Sequence, residues 1–331
     1  MHELQFLILT VIVLALLFDF INCFHDTANA IATSVSTRAI KPAHAIIMAA
    51  VLNFLGAIYS TGVAKTIGGD IVASAEMVDE HIIIAALMGS IIWNLFTWYV
   101  AMPSSSSHAL VGGIIGAVLV STGSTGLNFI GIGKIVLSLI ASPLLAIFSG
   151  FIVMTVLFLL FGQFAPSALN GRFKKMQILS AAAMAFSHGS NDAQKSMGII
   201  TLALLSGGYL SSFEVPDYVK FLCAAAMACG TALGGWRIIR TIGGKIFKLE
   251  PISGFAADLN SSIVIFSATL LHLPVSTTHV VSGSIMGVGT AKRIRAVRWG
   301  VAQQMLVAWV LTIPCTAVMG ALAYQIVLWI F

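Results

Sequence analysis

The sequence contains little charge. Of its 331 residues only 9% are charged, whereas 58% are hydrophobic, and a soluble domain has about 25% charged residues. So few polar groups could not cover the surface of a soluble fold, which excludes a soluble globular protein and assigns the chain to a lipid bilayer. The net charge of +5 lies in short loops. It therefore reports on membrane topology, and we expect no binding to nucleic acid.

Two other common signals are missing. Residues 1–24 have neither the basic start nor the small-residue cleavage site of a signal peptide, so we expect them to form the first membrane helix. The four cysteines lack metal-finger spacing and fall in apolar segments, which predicts small core residues and no bound cofactor. They are Cys23, Cys223, Cys229 and Cys315.

Hydrophobic residues concentrate in ten segments, most of them near the roughly 20 residues that cross a bilayer. The segments lie at 4–24, 42–64, 81–101, 105–122, 132–161, 177–205, 217–236, 254–272, 275–290 and 299–331. We therefore predict an all-α integral membrane protein, with a first half at 1–161, a cytoplasmic linker at 162–176 and a second half at 177–331. Polar residues interrupt the stretches 24–34 and 187–201, which suggests broken helices.

Basic residues set the orientation, because they accumulate in cytoplasmic loops. The basic clusters follow segments one, five, seven and nine: Arg38, Lys41, Arg172, Lys174, Lys175, Arg237, Arg240, Lys245, Lys248, Lys292, Arg293, Arg295 and Arg298. Acidic residues follow segments two and six, although Lys65 and Lys220 lie on that side too. We expect a multi-pass protein of the cell (inner) membrane with both termini outside the cytoplasm.

One motif occurs twice, 171 residues apart. "PSSSSHALVGGIIG" (103–116) and "PVSTTHVVSGSIMG" (274–287) share six identities in fourteen positions. "FINCFHDTANA" (20–30) and "FSHGSNDAQKS" (186–196) form a weaker pair, 166 residues apart. Because each half has five segments, a repeat of this kind is inverted in the membrane. Inverted repeats with interrupted segments are typical of transporters that bind substrate near the midplane.

The weaker pair contains two carboxylates, Asp26 and Asp192, inside apolar segments. A charge there costs at least about 2.5–3.5 kcal/mol on insertion scales. The alternative is that each carboxylate is purely structural and is satisfied by neighbouring amides and hydroxyls. The presence of a carboxylate at matching places in both halves instead favours a cation or proton site.

The stronger pair supplies hydroxyl groups after a proline and before a Gly-rich helix. A proline followed by serines indicates a helix start, where free N–H groups and the helix dipole favour an anion. N-capping and helix packing are the alternative use of these hydroxyls. They belong to Ser104, Ser105, Ser106, Ser107, Ser276, Thr277 and Thr278.

Two carboxylates and a phosphate-like dianion cannot share a dry site without cations. Lys195, three residues after Asp192, supplies one positive charge, so the others must arrive with the substrate. Cation-coupled anion symport follows from that sum. Four histidines add groups that titrate near neutral pH, either as packing residues or in coupling: His25, His108, His188 and His279.

Four segments together resemble the inorganic phosphate transporter (PiT) family, and most closely its bacterial low-affinity members. They are "FHDTANAIAT", "IIWNLFTWYVAMPSSSSHALVGGIIG", "FSHGSNDAQKSMG" and "PVSTTHVVSGSIMG". The resemblance covers nearly the whole chain. It implies a secondary symporter of inorganic phosphate, built as an inverted repeat of about 10–12 transmembrane pieces with broken helices and re-entrant hairpins, and forming a homodimer.

The resemblance also implies which residues act. Phosphate is expected on the two hydroxyl runs with Gln194 and Lys195. Cation or proton coupling is expected at His25, Asp26, Asn29, Asn191 and Asp192. Sodium-coupled members resemble N-D-x-x-N in both halves, whereas here His25 replaces the first Asn of one copy and Lys195 the last Asn of the other. Each change removes an amide oxygen that could bind sodium, which favours protons as the coupling ion. Bacterial members of this type are thought to carry a neutral divalent metal–phosphate complex.

Several other functions remain as alternatives. A sodium-coupled phosphate symporter uses the same architecture. A sulfate symporter would use similar donors, but sulfate cannot donate a hydrogen bond to a carboxylate as HPO4 can. An intramembrane hydrolase lacks a G-x-S-x-G elbow and needs no symmetric copies. A channel fits buried midplane charges less well than alternating access does. We therefore predict a transporter and not an enzyme.

Overall fold

The computed structural model describes residues 2–100, 102–164, 166–234, 243–244 and 246–330, without the side chains of 2, 3 and 166–168. The end of the predicted segment 217–236, the ends of the segments at 81–101 and 299–331, and the basic residues Arg237, Arg240 and Lys245 lie outside the described residues. Within these ranges the chain is helical, and its one extended pairing is an isolated bridge between Val72 and Leu127. This confirms the predicted all-α class.

The described residues form eleven α-helices and three short 3-10 turns. The helices are α1 (His2–Ser36), α2 (Pro42–Ala57), α3 (Gly62–Gly69), α4 (Glu80–Tyr99), α5 (Ser106–Ser121), α6 (Phe129–Phe161), α7 (Pro166–Ser206), α8 (Asp217–Leu233), α9 (Pro251–Leu270), α10 (Thr277–Lys292) and α11 (Trp299–Ile330).

The predicted segments correspond to these helices in order, but the breaks fall elsewhere. Helix α1 continues through the polar stretch 24–34, and α7 continues through 187–201. Their polar side chains face the protein interior, so the helices stay intact. The bend lies instead between α2 and α3, whose axes differ by 71°. Residues 166–176 of the predicted linker form the first turns of α7.

Four of the described helices are long and apolar enough to cross a membrane, and the bent pair α2 and α3 makes a fifth span. Helices α5 and α10 have 16 residues each, or about 24 Å at 1.5 Å per residue. That is shorter than the roughly 30 Å hydrocarbon core. Each follows a longer helix after a short turn, so α4–α5 and α9–α10 have the form of hairpins. The second part of α7 and most of α9 are buried and carry many polar side chains, whereas α8 buries one face and exposes large apolar side chains on the other.

The two short helices pack crosswise. Helix α5 of the first half lies against α11, and α10 of the second half lies against α6. A Cβ on Gly116 would collide with the carbonyl of Ala317, and a Cβ on Gly287 would collide with that of Ile147. Glycine at these positions allows two helix backbones to touch. The same contact is therefore made twice with the halves exchanged, which supports the predicted repeat.

The partner helices α6 and α11 each contain a proline in the middle, Pro143 and Pro314, again 171 residues apart. Both helices also expose many large apolar side chains, as expected for helices that face lipid. They include Leu137, Ile140, Leu144, Leu145, Phe148, Leu306, Val307, Val310, Leu311 and Leu322.

The crossed packing gives a stability test. Gly287→Ala should destabilise the protein by about 1–3 kcal/mol, because the added methyl group forces α10 away from α6. Gly133→Ala is the matched control, since a Cβ on this glycine of α6 meets open space. Alanine has less backbone freedom to lose on folding than glycine, so the Gly133→Ala protein should be as stable as the wild type or more stable by about 0.5–1 kcal/mol. Thermal unfolding in detergent measures both, and a Gly287→Ala protein as stable as the wild type would contradict the packing argument.

Candidate functional site

Helices α1 and α7 bring the two predicted carboxylates together at the centre of the fold. Oxygens of Asp26 and Asp192 and a ring nitrogen of His188 all lie within 4.8 Å of one another. All three side chains are buried. The weaker sequence repeat therefore places its two aspartates in a single cluster, as expected for a site shared by both halves.

Asp192 is surrounded by donors from three helices. Lys195 donates to its Oδ1 at 2.7 Å, so the two residues meet on one face of α7 as their spacing indicates. Asn22 Nδ2 of α1 donates to Oδ2 at 3.2 Å, and Thr277 Oγ1 of α10 donates to the same oxygen at 3.3 Å. His188 Nε2 stands 3.6 Å from Oδ2, beyond hydrogen-bond distance. The Lys195 side chain is fully buried, so it does not reach the membrane interface.

Asp26 has a matching but smaller set of contacts. His25 Nδ1 lies 2.9 Å from its Oδ1, and Thr278 Oγ1 donates to the same oxygen at 3.1 Å. Asn29 Nδ2 donates to Thr278 Oγ1 at 2.9 Å. The second hydroxyl run is thus bonded directly to both carboxylates, Thr277 to Asp192 and Thr278 to Asp26.

The remaining hydroxyls organise the two helix starts. Ser105 Oγ accepts from the N–H of His108, and Ser276 Oγ accepts from that of His279, so both serines are N-caps. Ser107 Oγ donates to the Val275 carbonyl at 2.9 Å and thereby joins the two hydroxyl runs. Two other members of the first run are buried nearby, Ser104 with a bond to Thr97, and Ser106.

Two predicted site residues point away from the carboxylates. Asn191 donates to Thr269 Oγ1 at 3.1 Å and to the Leu273 carbonyl, and so holds the turn between α9 and α10. Gln194 Oε1 accepts from the N–H groups of Val63 and Ala64 at the start of α3. Residues one or two places from Asp192 and Lys195 project from other faces of α7, and there they brace the surrounding helices.

The other two histidines form a pair away from the carboxylates. The rings of His108 and His279 lie 4.6 Å apart, and His279 stacks on Trp309 at 3.9 Å. Both line a cavity of about 680 Å³ between α6 and α11, which is otherwise largely apolar and contains Pro143 in its wall. An apolar cavity of this kind does not suit a tetrahedral oxyanion, so we place the candidate anion site at the hydroxyl runs.

Sequence reasoning missed several polar residues of this interior. Asn22 bonds Asp192, Asn53 Oδ1 lies 3.1 Å from His188 Nδ1, and Asp19 and Asp258 are buried carboxyls. A signal was available on α1, because its buried polar residues recur at spacings of three and four and so share one helix face. They are Asp19, Asn22, Asp26, Asn29 and Thr33.

This arrangement is suited to binding ions in a closed state. The carboxylates offer oxygen ligands for a proton or cation, His188 offers a nitrogen ligand, and the starts of α5 and α10 supply hydroxyl and N–H donors for an anion. The central side chains are at most 5% exposed. A substrate can therefore reach this site only after helices move.

Comparison with known proteins identifies relatives along the whole chain. The profile of the phosphate transporter family matches residues 22–170 and again 159–320, once for each half. A probable low-affinity inorganic phosphate transporter of Bacillus subtilis is 51% identical over 333 residues and covers 100% of both chains. One from Rhizobium meliloti is 45% identical over 96% of both chains.

A solved structure has the same fold. It is described as the sodium-dependent phosphate transporter and superposes with a TM-score of 0.90 at 26% identity, covering 98% of this chain and 100% of its own.

The buried ion pair gives a second stability test. Lys195→Met should cost about 3–5 kcal/mol, because it leaves the Asp192 charge without its cation. Adding Asp192→Asn should recover most of that loss. Lys220→Met is the matched control, since Lys220 and Asp217 have the same spacing and a 2.8 Å contact but are exposed, where a pair contributes about 0–1 kcal/mol. Equal thermal destabilisation by the two Lys→Met changes would refute the uncompensated-charge argument.

Proposed function

The chain belongs to the phosphate transporter family, and on that premise we propose that it imports inorganic phosphate together with protons. Its family and its relatives are transporters and not enzymes, and several of its helices are long and apolar enough to span a membrane. The proposal assigns phosphate to the hydroxyl runs, and the proton to Asp26 and Asp192.

The contact between the second hydroxyl run and the carboxylates carries this proposal. A hydroxyl group has one proton to donate, and Thr277 and Thr278 direct theirs at Asp192 and Asp26. Those protons are then unavailable to an anion. When a carboxylate takes up a proton it becomes a weaker acceptor, and the threonine O–H is released to phosphate. Proton binding and phosphate binding therefore favour each other, which is the thermodynamic requirement for symport.

The charge of the cluster supports the same mechanism. Asp26, Asp192 and Lys195 together carry a net charge of −1 when the neighbouring histidines are neutral. A neutral divalent metal–phosphate complex and one proton bring this sum to zero, whereas free HPO4 would need three cations. In a dry interior the neutral combination costs least. We therefore propose the metal–phosphate complex as the substrate, with the metal as cargo beside Asp26, His188 and Asp192.

Two residues of the motif pair favour protons over sodium as the coupling ion. His25 and Lys195 stand where sodium-coupled members have Asn. Here the imidazole contacts Asp26, and the ammonium contacts Asp192. A tethered cation next to Asp192 occupies the place that a sodium ion would take. Sodium coupling is the second candidate, because the structural neighbour is described as sodium-dependent.

Other parts of the proposal concern the setting of the protein. The basic loops favour the cell (inner) membrane with both termini outside the cytoplasm, and the family resemblance favours a homodimer. Sulfate is a less suitable substrate, because it has no proton to donate to a carboxylate, whereas HPO4 has one.

Gradient-driven uptake tests the function directly. In proteoliposomes with an inward proton gradient and a divalent metal, we expect radiolabelled phosphate to accumulate without sodium. Sulfate should not compete. Collapse of the proton gradient by an uncoupler should abolish accumulation, and omission of the divalent metal should reduce it. Uptake that follows a sodium gradient and ignores the proton gradient would instead support the second candidate.

The hydroxyl contact gives a matched mutational test. Thr278→Val keeps the shape of the side chain but removes the donor, so phosphate affinity should fall by about 1–3 kcal/mol, the value of a hydrogen bond to a charged group. Thr201→Val is the control, because among the described residues the hydroxyl of this buried threonine of α7 bonds only the Met197 carbonyl of its own helix. Apparent phosphate affinity in the uptake assay distinguishes them. Unchanged affinity in Thr278→Val would remove this hydroxyl from the phosphate site.

A further inference from the structure

Two buried carboxyl groups lie outside the central cluster. Asp19 of α1 is 0% exposed, and neither of its oxygens has a hydrogen-bond partner among the described residues. Asp258 of α9 is 2% exposed. Its Oδ1 accepts from Thr33 Oγ1, and its Oδ2 has no partner in the described part of the chain. A carboxylate that merely braced the fold would be fully bonded, since an unpaired charge in an apolar interior is expensive.

These carboxyls lie on opposite sides of the central cluster. Asp19 precedes Asp26 by seven residues on α1, and Thr33, the partner of Asp258, follows Asp26 by seven residues. Seven residues are about two helical turns, or about 10 Å along the axis. One carboxyl is therefore about two turns above the centre and the other about two turns below it.

The groups that face each carboxyl differ. Asp19 interacts with the charges of Asp192 and Lys195 on α7, and lies near the thiols of Cys23 and Cys223. The Ser196 hydroxyl of α7 also faces it. A negative charge on Asp19 would lie in an apolar interior beside the Asp192 carboxylate, which would repel it, so Asp19 is suited to hold a proton.

Asp258 has uncharged neighbours. Thr33 donates to it, and the Gln177 side chain, which lies against Gly254 one turn earlier on the same helix, also faces it. No cation compensates a negative charge at this position in the described part of the chain, so Asp258 too is suited to hold a proton. Each carboxyl can thus hold a proton.

Polar groups line one face of α1 between the two positions. In order along α1 from Asp19, Asn22 contacts Asp192. Asn29 contacts Thr278, and Thr278 contacts Asp26. Thr33 then contacts Asp258. This stripe covers fifteen residues from Asp19 to Thr33, and the fourteen steps between them span about 21 Å of helix, through an otherwise apolar interior.

We propose that Asp19 and Asp258 are entry and exit carboxyls for the coupling proton, one on each side of the phosphate site. This proposal rests on the proposed proton symport. With the orientation expected from the basic loops, Asp19 lies toward the outer surface and Asp258 toward the cytoplasm. An O–H bond of Asp19 breaks as one forms on the central carboxylates, and Asp19 takes a new proton from the outer side. After phosphate leaves, an O–H bond of Asp258 breaks and its proton is released inward, and a new O–H bond forms on Asp258 as the central O–H bond breaks.

The test separates proton movement from phosphate binding. Asp19→Asn and Asp258→Asn keep the size and neutrality of the carboxyl but cannot carry a proton. In sodium-free proteoliposomes, proton-driven phosphate uptake should fall about tenfold or more, in the lower range of what a positioned proton-transfer group contributes. Exchange of labelled for unlabelled phosphate, at equal pH and equal phosphate on both sides, should be retained. Asp19→Glu should restore part of the driven uptake.

Matched controls exclude a structural explanation. Ser34→Ala removes another buried polar group of α1 and should leave driven uptake unchanged. In the described part of the chain the Ser34 hydroxyl bonds only the Ile31 carbonyl. If an Asp→Asn variant does not fold, infrared spectra of the wild-type protein and of Asp19→Glu should still show the band of a buried protonated carboxyl group. Absence of that band would overturn the proposal.

The remaining outcomes are distinct. Driven uptake at the wild-type rate in both Asp→Asn variants, or equal loss of driven uptake and exchange, would overturn the two-carboxyl path. If the wild-type protein is not driven by a proton gradient, the proposed symport fails first, whatever the variants do.

Discussion

The cost of a buried charge is the constraint on which the rest of this structure depends. Asp26 and Asp192 come within 4.8 Å of one another in an interior that holds few other charges. Each is tolerable only because donors surround it, and those of Asp192 come from α1, α7 and α10. The carboxylates are therefore satisfied only when these helices are assembled, which ties the stability of the fold to the geometry of the site.

The crossed packing of the repeats holds the hydroxyl runs at that cluster. Because α5 lies on α11 and α10 lies on α6, each half positions the short helix of the other. The two runs nevertheless have different partners. Thr278 reaches Asp26, whereas its sequence equivalent Ser107 donates to the Val275 carbonyl. Equivalent sequence positions thus perform different tasks, because only the second run faces the stripe of α1.

The polar side chains of the interior limit how the protein works. A closed cluster at most 5% exposed cannot exchange phosphate without movement of whole helices, and the same contacts that stabilise the closed state must be exchanged for contacts with substrate. In the proposed mechanism, a hydroxyl that bonds a carboxylate or a phosphate, according to protonation, provides that exchange without leaving a buried donor unsatisfied. The apolar surfaces of α6 and α11 have no such role and serve the contact with lipid.

The sequence by itself determined the membrane class, the order of the helices and the pairing of Asp192 with Lys195, because composition, hydrophobic length and helical spacing are local properties. It also identified both repeated motifs. Only the tertiary structure decided that Gln194 and Asn191 turn away from the carboxylates and that Asn22 turns toward them. It also decided that Asp19 and one oxygen of Asp258 are buried without a hydrogen-bond partner among the described residues. Those outcomes depend on which helix stands opposite each face, and that is set by contacts between residues 78 or more positions apart in the sequence.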